Sequence, residues 1–137
     1  MKKTRIIVFG TFDCLHPGHL DFFKQARSLS KNPHLMVSIA RDVNVKRIKG
    51  INPQNTERDR LAVVASCRLV DEAVLGGIKD YLSHIISLKP NIIALGYDQH
   101  AYIQGLESSL IELGFVVKVK RLKSYKPQAF KTSKLLK

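Results

Sequence analysis

The chain has 137 residues, 45% of them hydrophobic, which predicts one globular domain over residues 1–137 and excludes a disordered protein. Lysine and arginine outnumber aspartate and glutamate by 23 to 11, so the formal net charge of +12 favours anionic partners: nucleotides, nucleic acids or anionic membranes. No apolar run approaches the roughly 20 residues needed to cross a bilayer, and we expect a cytoplasmic protein that does not bind a membrane.

Strand-like and helix-like segments alternate along the chain. The sequence predicts, in order, strand 5–9, helix 18–29, strand 35–40, a basic loop at 42–50, helix 56–67, strand 70–75, helix 79–88, strand 91–95, helix 103–113, strand 115–119, a basic loop at 120–131 and a short helix at 132–137. This alternation predicts a single Rossmann-like, doubly wound α/β domain with a mainly parallel five-stranded sheet.

One helix start is marked by local chemistry. Thr56 and Asp59 resemble a capping box, and in the helix that follows Leu61, Val64 and Ala65 are expected to face the core. Ligands of doubly wound sheets bind beyond the carboxyl ends of the strands, where the strand order reverses. The loops that follow the predicted strands, at residues 10–17, 41–50, 96–99 and 121–131, are therefore the candidate ligand-binding segments.

The stretch GTFDCLHPGH at residues 10–19 joins the first strand to the first helix. Gly10 permits a tight turn, and Thr11 offers a hydroxyl donor for a phosphate. If the helix begins near Pro17, His16 and His19 lie in its first turn, where the positive end of the helix dipole attracts an anion. The alternatives are that His16 caps the helix and His19 lies at the surface, or that the pair binds a metal. A metal site is disfavoured, because four-residue spacing suits two helical ligands better and no third ligand is evident.

The two cysteines add no further site. Cys14 and Cys67 lack the spacing of metal ligands, and a disulfide is not expected in a reducing compartment. We therefore predict no metal bound by protein side chains alone.

Residues 10–19 resemble the GTFDxxHxGH signature of the cytidylyltransferase-like family of nucleotidyltransferases, and the resemblance extends from residue 5 to about residue 137. It implies a Rossmann-like fold, often in homodimers, that binds a nucleoside triphosphate and a phosphorylated acceptor. It also implies that His16 and His19 contact the triphosphate and stabilise charge at the reacting α-phosphate. Other residues of this stretch are assigned by the resemblance to nucleotide binding: Gly10, Thr11, Phe12, Asp13 and Gly18.

The resemblance extends to residues outside the signature. Lys46 and Arg60 are expected in the catalytic set and Lys49 on the triphosphate, whereas Asp42 and Tyr97 are expected on the acceptor. The alternatives are a solvated basic loop for the two lysines, a surface salt bridge for Arg60, a helix cap for Asp42 and simple packing for Tyr97. The remaining nucleotide-binding candidates are Gly96, Asp98, Gln99, Arg121, Thr132 and Ser133.

The stretch LGYDQ at residues 95–99 is similar to archaeal-type FAD synthases and favours ATP as donor and FMN as acceptor, with Mg²⁺ carried by the triphosphate. The chain departs from relatives in two places, since it lacks the fuller RTEGIST-type motif of cytidylyltransferases and the C-terminal cysteine pair of archaeal FAD synthases. One alternative is therefore a CTP-dependent enzyme acting on glycerol phosphate or a related polyol phosphate. An alternative of another class, based on net charge, is a non-catalytic nucleic-acid-binding module, although no nucleic-acid-binding motif is present and we do not expect that partner.

Overall fold

The computed structural model of the chain describes residues 2–78, 81–97, 99 and 106–124. Their elements are, in chain order, β1 (Thr4–Gly10), α1 (Pro17–Arg27), β2 (Pro33–Ile39), α2 (Asp42–Lys49), α3 (Glu57–Ala65), β3 (Glu72–Leu75), α4 (Tyr81–Leu88), β4 (Ile92–Leu95), α5 (Leu106–Glu112) and β5 (Lys118–Arg121). None of these described helices is long and apolar enough to cross a bilayer.

All five strands are parallel and lie in the order β3-β2-β1-β4-β5. This arrangement confirms the predicted doubly wound α/β domain. The order reverses beside β1, because the chain builds β2 and β3 on one side of it and β4 and β5 on the other. The crevice of a doubly wound sheet therefore lies at the carboxyl ends of β1 and β4.

Both faces of the sheet are buried, as the near-continuous apolar strands predict. One face carries Ile6 and Val8 of β1 and packs against Phe23 of α1 and Val64 of α3. The opposite face carries Ile7 and Phe9 together with Met36 and Ile93, and packs against buried residues of α4 and α5. Alternate side chains of a strand thus fill two separate cores, which fixes the sheet between two helical layers.

Residues 42–49 form a helix where the sequence analysis predicts a loop. The basic residues suit a helix because they lie in its last turn, beside the negative end of the dipole, and Asp42 lies in the first turn. Gly50 then ends the helix with a φ of +82° and donates its N–H to the Lys46 carbonyl. Val45 anchors the helix in the core.

Two further details differ from the sequence analysis. β5 begins at Lys118 rather than at residue 115, because Gly114 adopts a φ of +89° and the Phe115 N–H turns back to the Leu110 carbonyl. Residues 115–117 therefore form a connection between α5 and β5 rather than part of the strand, and Val116 is 91% exposed. In α3, Ala65 is exposed and the inward position is taken by Arg60, which is among the most deeply buried side chains of the described chain. The predicted helix 132–137 lies outside the described residues.

Gly10, at the end of β1, has its free side occupied by the ring of Phe12. A Cβ atom at position 10 would lie 2.6 Å from the Phe12 ring, well inside van der Waals contact. The ring cannot easily move away, because it is buried and packs against Phe23 at 5.4 Å and against His19 at 5.2 Å between ring centroids. Glycine is therefore required here by the packing of the following loop.

We expect Gly10→Ala to lower the free energy of unfolding by about 1–3 kcal/mol, the usual cost of overpacking a core. Urea denaturation of the variant and of the wild type measures this difference. In a Phe12→Leu background the same change is expected to cost less, because the obstructing ring is gone. Equal costs in both backgrounds would show that the ring is not the obstacle.

Candidate active site

The first turn of α1 is closed by its two histidines. The Gly18 N–H donates to Nδ1 of His16 at 3.0 Å, and the His16 N–H donates to Nδ1 of His19 at 3.3 Å. Pro17 follows the cap in the position that needs no N–H donor. The two rings stack with their centroids 3.8 Å apart. Since each Nδ1 accepts a backbone N–H, each neutral ring carries its proton on Nε2.

His16 is thus a helix cap, as one of the alternatives drawn from the sequence predicts, whereas His19 is partly buried and does not lie at the surface as that alternative also expects. Capping occupies only Nδ1, so it leaves the Nε2–H of His16 for another acceptor. The ring also links that N–H to the positive end of α1, because its Nδ1 accepts from the Gly18 N–H of the first turn. Capping and phosphate binding are therefore compatible in one residue.

His19 is held in its neutral form. Burial, reinforced by the neighbouring His16, lowers the pKa of His19 to about 4, although a hydrogen bond with the Cys14 backbone partly opposes the shift. The edge of the ring also meets the ring of Phe12. At neutral pH His19 can therefore offer a hydrogen-bond donor, but not a positive charge.

Phe12 itself is only 5% exposed and belongs to the core formed with Phe23. Phe12 is one of the residues that the family resemblance assigns to nucleotide binding. In the structure its side chain supports Gly10 and His19 from inside the protein. Any contribution of Phe12 to a ligand therefore passes through these neighbours or through its backbone.

The end of α2 reaches the loop after β1. Nζ of Lys49 donates to the Thr11 hydroxyl at 3.3 Å, so a lysine and the hydroxyl predicted for phosphate binding lie together. Lys46 precedes Lys49 by three residues, which places the two on adjacent turns of one helix face. The Lys46 side chain is exposed, and its ammonium group has no hydrogen-bond partner among the described residues. The end of α2 therefore presents two ammonium groups, those of Lys46 and Lys49, near the loop that follows β1.

Asp13 ties the loop after β1 to residues 54 and 55 by hydrogen bonds. Its carboxylate accepts the backbone N–H of Gln54 at 2.7 Å and that of Asn55 at 2.8 Å, and the Asn55 amide donates to the Asp13 carbonyl. Burial opposes ionisation of Asp13, but these N–H groups outweigh it and hold the pKa of the carboxyl below its ordinary value. Because both carboxylate oxygens accept backbone N–H groups, the geometry favours a structural role of Asp13 in this loop over the nucleotide contact that the resemblance implies.

Arg60 is enclosed by protein. Its side chain is 0% exposed and donates to the carbonyls of Asn55 and Thr11 and, at 2.6 Å, to the carboxylate of Asp42. It forms an ion pair, but not the surface pair given as the alternative. The guanidinium has no open face towards a phosphate in this arrangement, because protein acceptors surround it. Arg60 therefore supports Thr11 and Asp42 in this arrangement, and its place in the catalytic set stays a prediction.

Asp42 connects the starts of two helices. One carboxylate oxygen accepts from Arg60, and the other accepts the Glu57 N–H at 3.2 Å. In return, one carboxylate oxygen of Glu57 accepts the Asp42 N–H at 2.8 Å, and the other accepts from the Arg41 guanidinium at 3.0 Å. Asp42 therefore caps α3 rather than its own helix, with its side chain still 37% exposed at this edge.

Arg41, Asn55 and Glu57 belong to this network and were missed by the sequence analysis. The partners of Glu57 lie 15 and 16 residues away along the chain. The only local signal was the acidic residue directly after the Thr56 cap, which is ordinary in a first helical turn. Sequence spacing alone does not distinguish a carboxylate that caps a neighbouring helix from one that faces solvent.

The residues after β4 are tied to their neighbours. The Gln99 amide accepts the Gly96 N–H at 2.8 Å and donates to the Phe9 carbonyl at 2.7 Å. Arg121, the last residue of β5, donates to the carbonyls of Gly96 and Gln99 at 2.7 and 2.9 Å. Tyr97 is 42% exposed at the same edge. The other candidates, Asp98, Thr132 and Ser133, lie outside the described residues.

We expect NMR titration of the folded protein to give His19 a midpoint near pH 4, whereas the same ring in urea titrates near its ordinary value of 6.5. Between these two pH values the unfolded chain binds more protons than the native state does at His19. This residue therefore makes the free energy of unfolding rise with pH from about 4 to 6.5 and level off above. A midpoint near 6.5 in the folded protein would contradict the buried, neutral ring.

Comparison with known proteins agrees with this geometry. The family model for cytidylyltransferase-like proteins matches residues 7–137. A FAD synthase from Methanosarcina acetivorans is 46% identical over 120 residues, which are 87% of this chain and 76% of that protein. Another from Pyrococcus abyssi is 40% identical over 138 residues, 99% of this chain and 92% of that protein.

A solved structure is also similar. The lipopolysaccharide core biosynthesis protein from Thermoplasma volcanium superposes with a TM-score of 0.83 at 37% identity, covering 91% of this chain and 100% of that one. The parallel sheet, the capped histidine pair and these matches lead to one conclusion. The chain belongs to the cytidylyltransferase-like family and is a nucleotidyltransferase.

Proposed function

We propose that this enzyme is an FMN adenylyltransferase, a FAD synthase that converts ATP and FMN into FAD and pyrophosphate. The observation that carries the proposal is the set of relatives named FAD synthase, 40–46% identical, of which this chain covers three quarters or more. The site agrees with it, because two imidazoles, a hydroxyl and a lysine meet at the carboxyl edge of β1.

The reaction is an in-line displacement at phosphorus. An oxygen of the FMN phosphate forms a bond to the α-phosphorus of ATP, and the bond from that phosphorus to the oxygen bridging to the β-phosphate breaks. Pyrophosphate leaves with the electron pair of the broken bond. The protein needs no nucleophile of its own, so its work is to position two anions and stabilise the charge that develops.

We assign the donors by their state in the structure. The Nε2–H of His16 hydrogen-bonds the α-phosphate, and His19, which burial keeps uncharged, turns its ring N–H from the Cys14 backbone to the same phosphate when the nucleotide binds. Lys46 and Lys49 supply the positive charge for the β- and γ-phosphates, and the Thr11 hydroxyl moves from Lys49 to a phosphate oxygen. The positive charge of the two lysines therefore lies beside the β- and γ-phosphates, which leave as pyrophosphate.

The remaining assignments follow from the same edge. Gly18 has no side chain to obstruct a phosphate beside the histidines, and Gly96 has none after β4, whereas Gly10 leaves room for the Phe12 ring. Tyr97 is proposed for the acceptor because it is exposed there, whereas Asp42, Arg60 and Arg121 act by positioning. Asp98, Thr132 and Ser133 remain proposed nucleotide contacts on the resemblance alone.

Mg²⁺ fits this site as a companion of the triphosphate. The carboxylates of Asp13 and Asp42 already accept backbone N–H groups or a guanidinium, so neither offers a free pair of oxygens to a hard cation. Its ligands would thus come from phosphate oxygens and water. When bound, the ion neutralises the leaving pyrophosphate. Action as a cytoplasmic homodimer, without nucleic acid, belongs to the same proposal.

A second candidate is a CTP-dependent enzyme acting on glycerol phosphate or a related polyol phosphate, because the chain lacks the C-terminal cysteine pair of archaeal FAD synthases. A panel of ATP or CTP with FMN or glycerol phosphate separates the two. We expect FAD, detected by chromatography, and pyrophosphate only with ATP and FMN in the presence of Mg²⁺. Pyrophosphate release restricted to CTP with a non-flavin acceptor would replace the first proposal with the second.

We expect His16→Asn to lower kcat by roughly 100-fold or more, the usual loss for one donor to the reacting group. Asparagine is a favoured helix cap, so the free energy of unfolding should change little. The matched control is His34→Asn, which alters a histidine at the opposite end of the sheet, paired in register with Arg5. Unchanged kcat in the His16 variant would remove His16 from the catalytic set.

A further inference from the structure

The hydrogen-bond ladder between β1 and β4 stops before either strand does. Its paired positions are Ile6 with Ile92 and Ile7 with Ile93, although β1 continues to Gly10 and β4 to Leu95. Between β1 and β2, in contrast, the pairing runs the whole length of β1. The two central strands therefore separate at their carboxyl ends, at the point where the strand order reverses.

Two backbone groups face each other across this gap. The Gly10 carbonyl accepts the Ala40 N–H on the β2 side, so the preceding carbonyl, that of Phe9, faces β4. The Leu95 carbonyl accepts the Leu122 N–H on the β5 side, so the N–H of Gly96 faces β1. In a ladder continued with the same register, the Gly96 N–H would donate directly to the Phe9 carbonyl.

The side-chain amide of Gln99 lies between these two groups. Its Oε1 accepts the Gly96 N–H at 2.8 Å and its Nε2 donates to the Phe9 carbonyl at 2.7 Å. One direct backbone bond is thus replaced by two bonds with a planar amide between them. The strand ends are held further apart than the ~4.8 Å of an ordinary ladder, yet neither buried group loses its partner.

The backbone of Gln99 is itself fixed. Its N–H donates to the Gly96 carbonyl at 3.1 Å, and Arg121 donates to the carbonyls of both residues from β5. The amide is therefore anchored at its base as well as at both polar atoms. A side chain with this many fixed contacts has a defined length and direction, as a structural spacer requires.

We propose that Gln99 is a positioning residue whose amide spaces the carboxyl ends of β1 and β4 and so keeps the nucleotide crevice open. This role replaces the direct nucleotide contact expected from the sequence, because both polar atoms of the amide are engaged by the backbone. The expected effect of Gln99 on nucleotide binding rests on the proposed function. The bridge that its amide forms between Gly96 and Phe9 does not, so the bridge and the proposed function can be disproved separately.

Two variants of Gln99 distinguish the loss of the bridge between β1 and β4 from the effect of an introduced negative charge. In Gln99→Glu at pH 8 the carboxylate still accepts from Gly96 but turns an acceptor towards the Phe9 carbonyl. In Gln99→Met a side chain of similar length makes neither bond. We expect both variants to bind a non-hydrolysable ATP analogue roughly 10- to 100-fold more weakly than wild type at pH 8, because a buried acceptor is left unpaired.

The pH dependence provides the decisive comparison. At pH 5 and below, protonation lets the introduced carboxyl donate to Phe9, so the affinity of Gln99→Glu relative to wild type should recover, while that of Gln99→Met should not. Calorimetric titration at both pH values, with thermal melting to confirm folding, measures this. If Gln99→Met binds within about twofold of wild type, the loss in Gln99→Glu is due to its charge alone and the spacer is overturned.

A measurement without nucleotide tests the bridge directly. In wild-type protein the Gln99 side-chain N–H that faces Phe9 should exchange with solvent at least tenfold more slowly than its geminal partner, as followed by NMR. Equal, fast exchange of the two protons would overturn the bridge whatever the enzyme makes. If the bridge is present but the wild type forms no FAD from ATP and FMN, the proposed function fails and the spacer stands.

Discussion

The carboxyl edge of the sheet is organised around a guanidinium that has been removed from water. A buried charge is tolerated only where fixed partners replace its hydration, and Arg60 has three, in the loop after β1, in the segment before α3 and at the start of α2. Taking away any of these acceptors leaves the others to compensate for a desolvated cation. The three segments are therefore held together by a constraint that none of them satisfies alone.

That constraint explains why the site can be built on short elements. The loop after β1 is fixed at Thr11 by Arg60 and at Asp13 by residues 54–55, so the histidines that follow begin their helix from a defined place. The exchange of hydrogen bonds between Asp42 and Glu57 sets the start of α2, and α2 carries its lysines towards Thr11. Because these segments are fixed to one another, the exposed lysines of α2 are attached to a defined helix start.

Parts of the site were predictable from the sequence because their chemistry is local. The helix start at Pro17 and the adjacency of His16 and His19 depend on residues close together in the chain, whereas the need for glycine at position 10 comes from the packing of the Phe12 ring. The network around Arg60 was not predictable in the same way, since its partners lie 5, 18 and 49 residues away. Gln99 illustrates the same limit, because its acceptor in β1 is 90 residues distant.

The sequence by itself determined the alternation of strands and helices, the parallel sheet and the segment that carries the phosphate chemistry, because hydrophobic period and helix capping are set by neighbouring residues. It did not determine that residues 42–49 are helical, that Arg60 is enclosed or that the Gln99 amide stands in the β1–β4 gap. Those outcomes depend on which desolvated donors and acceptors meet when distant segments pack, and only the tertiary structure decides that pairing.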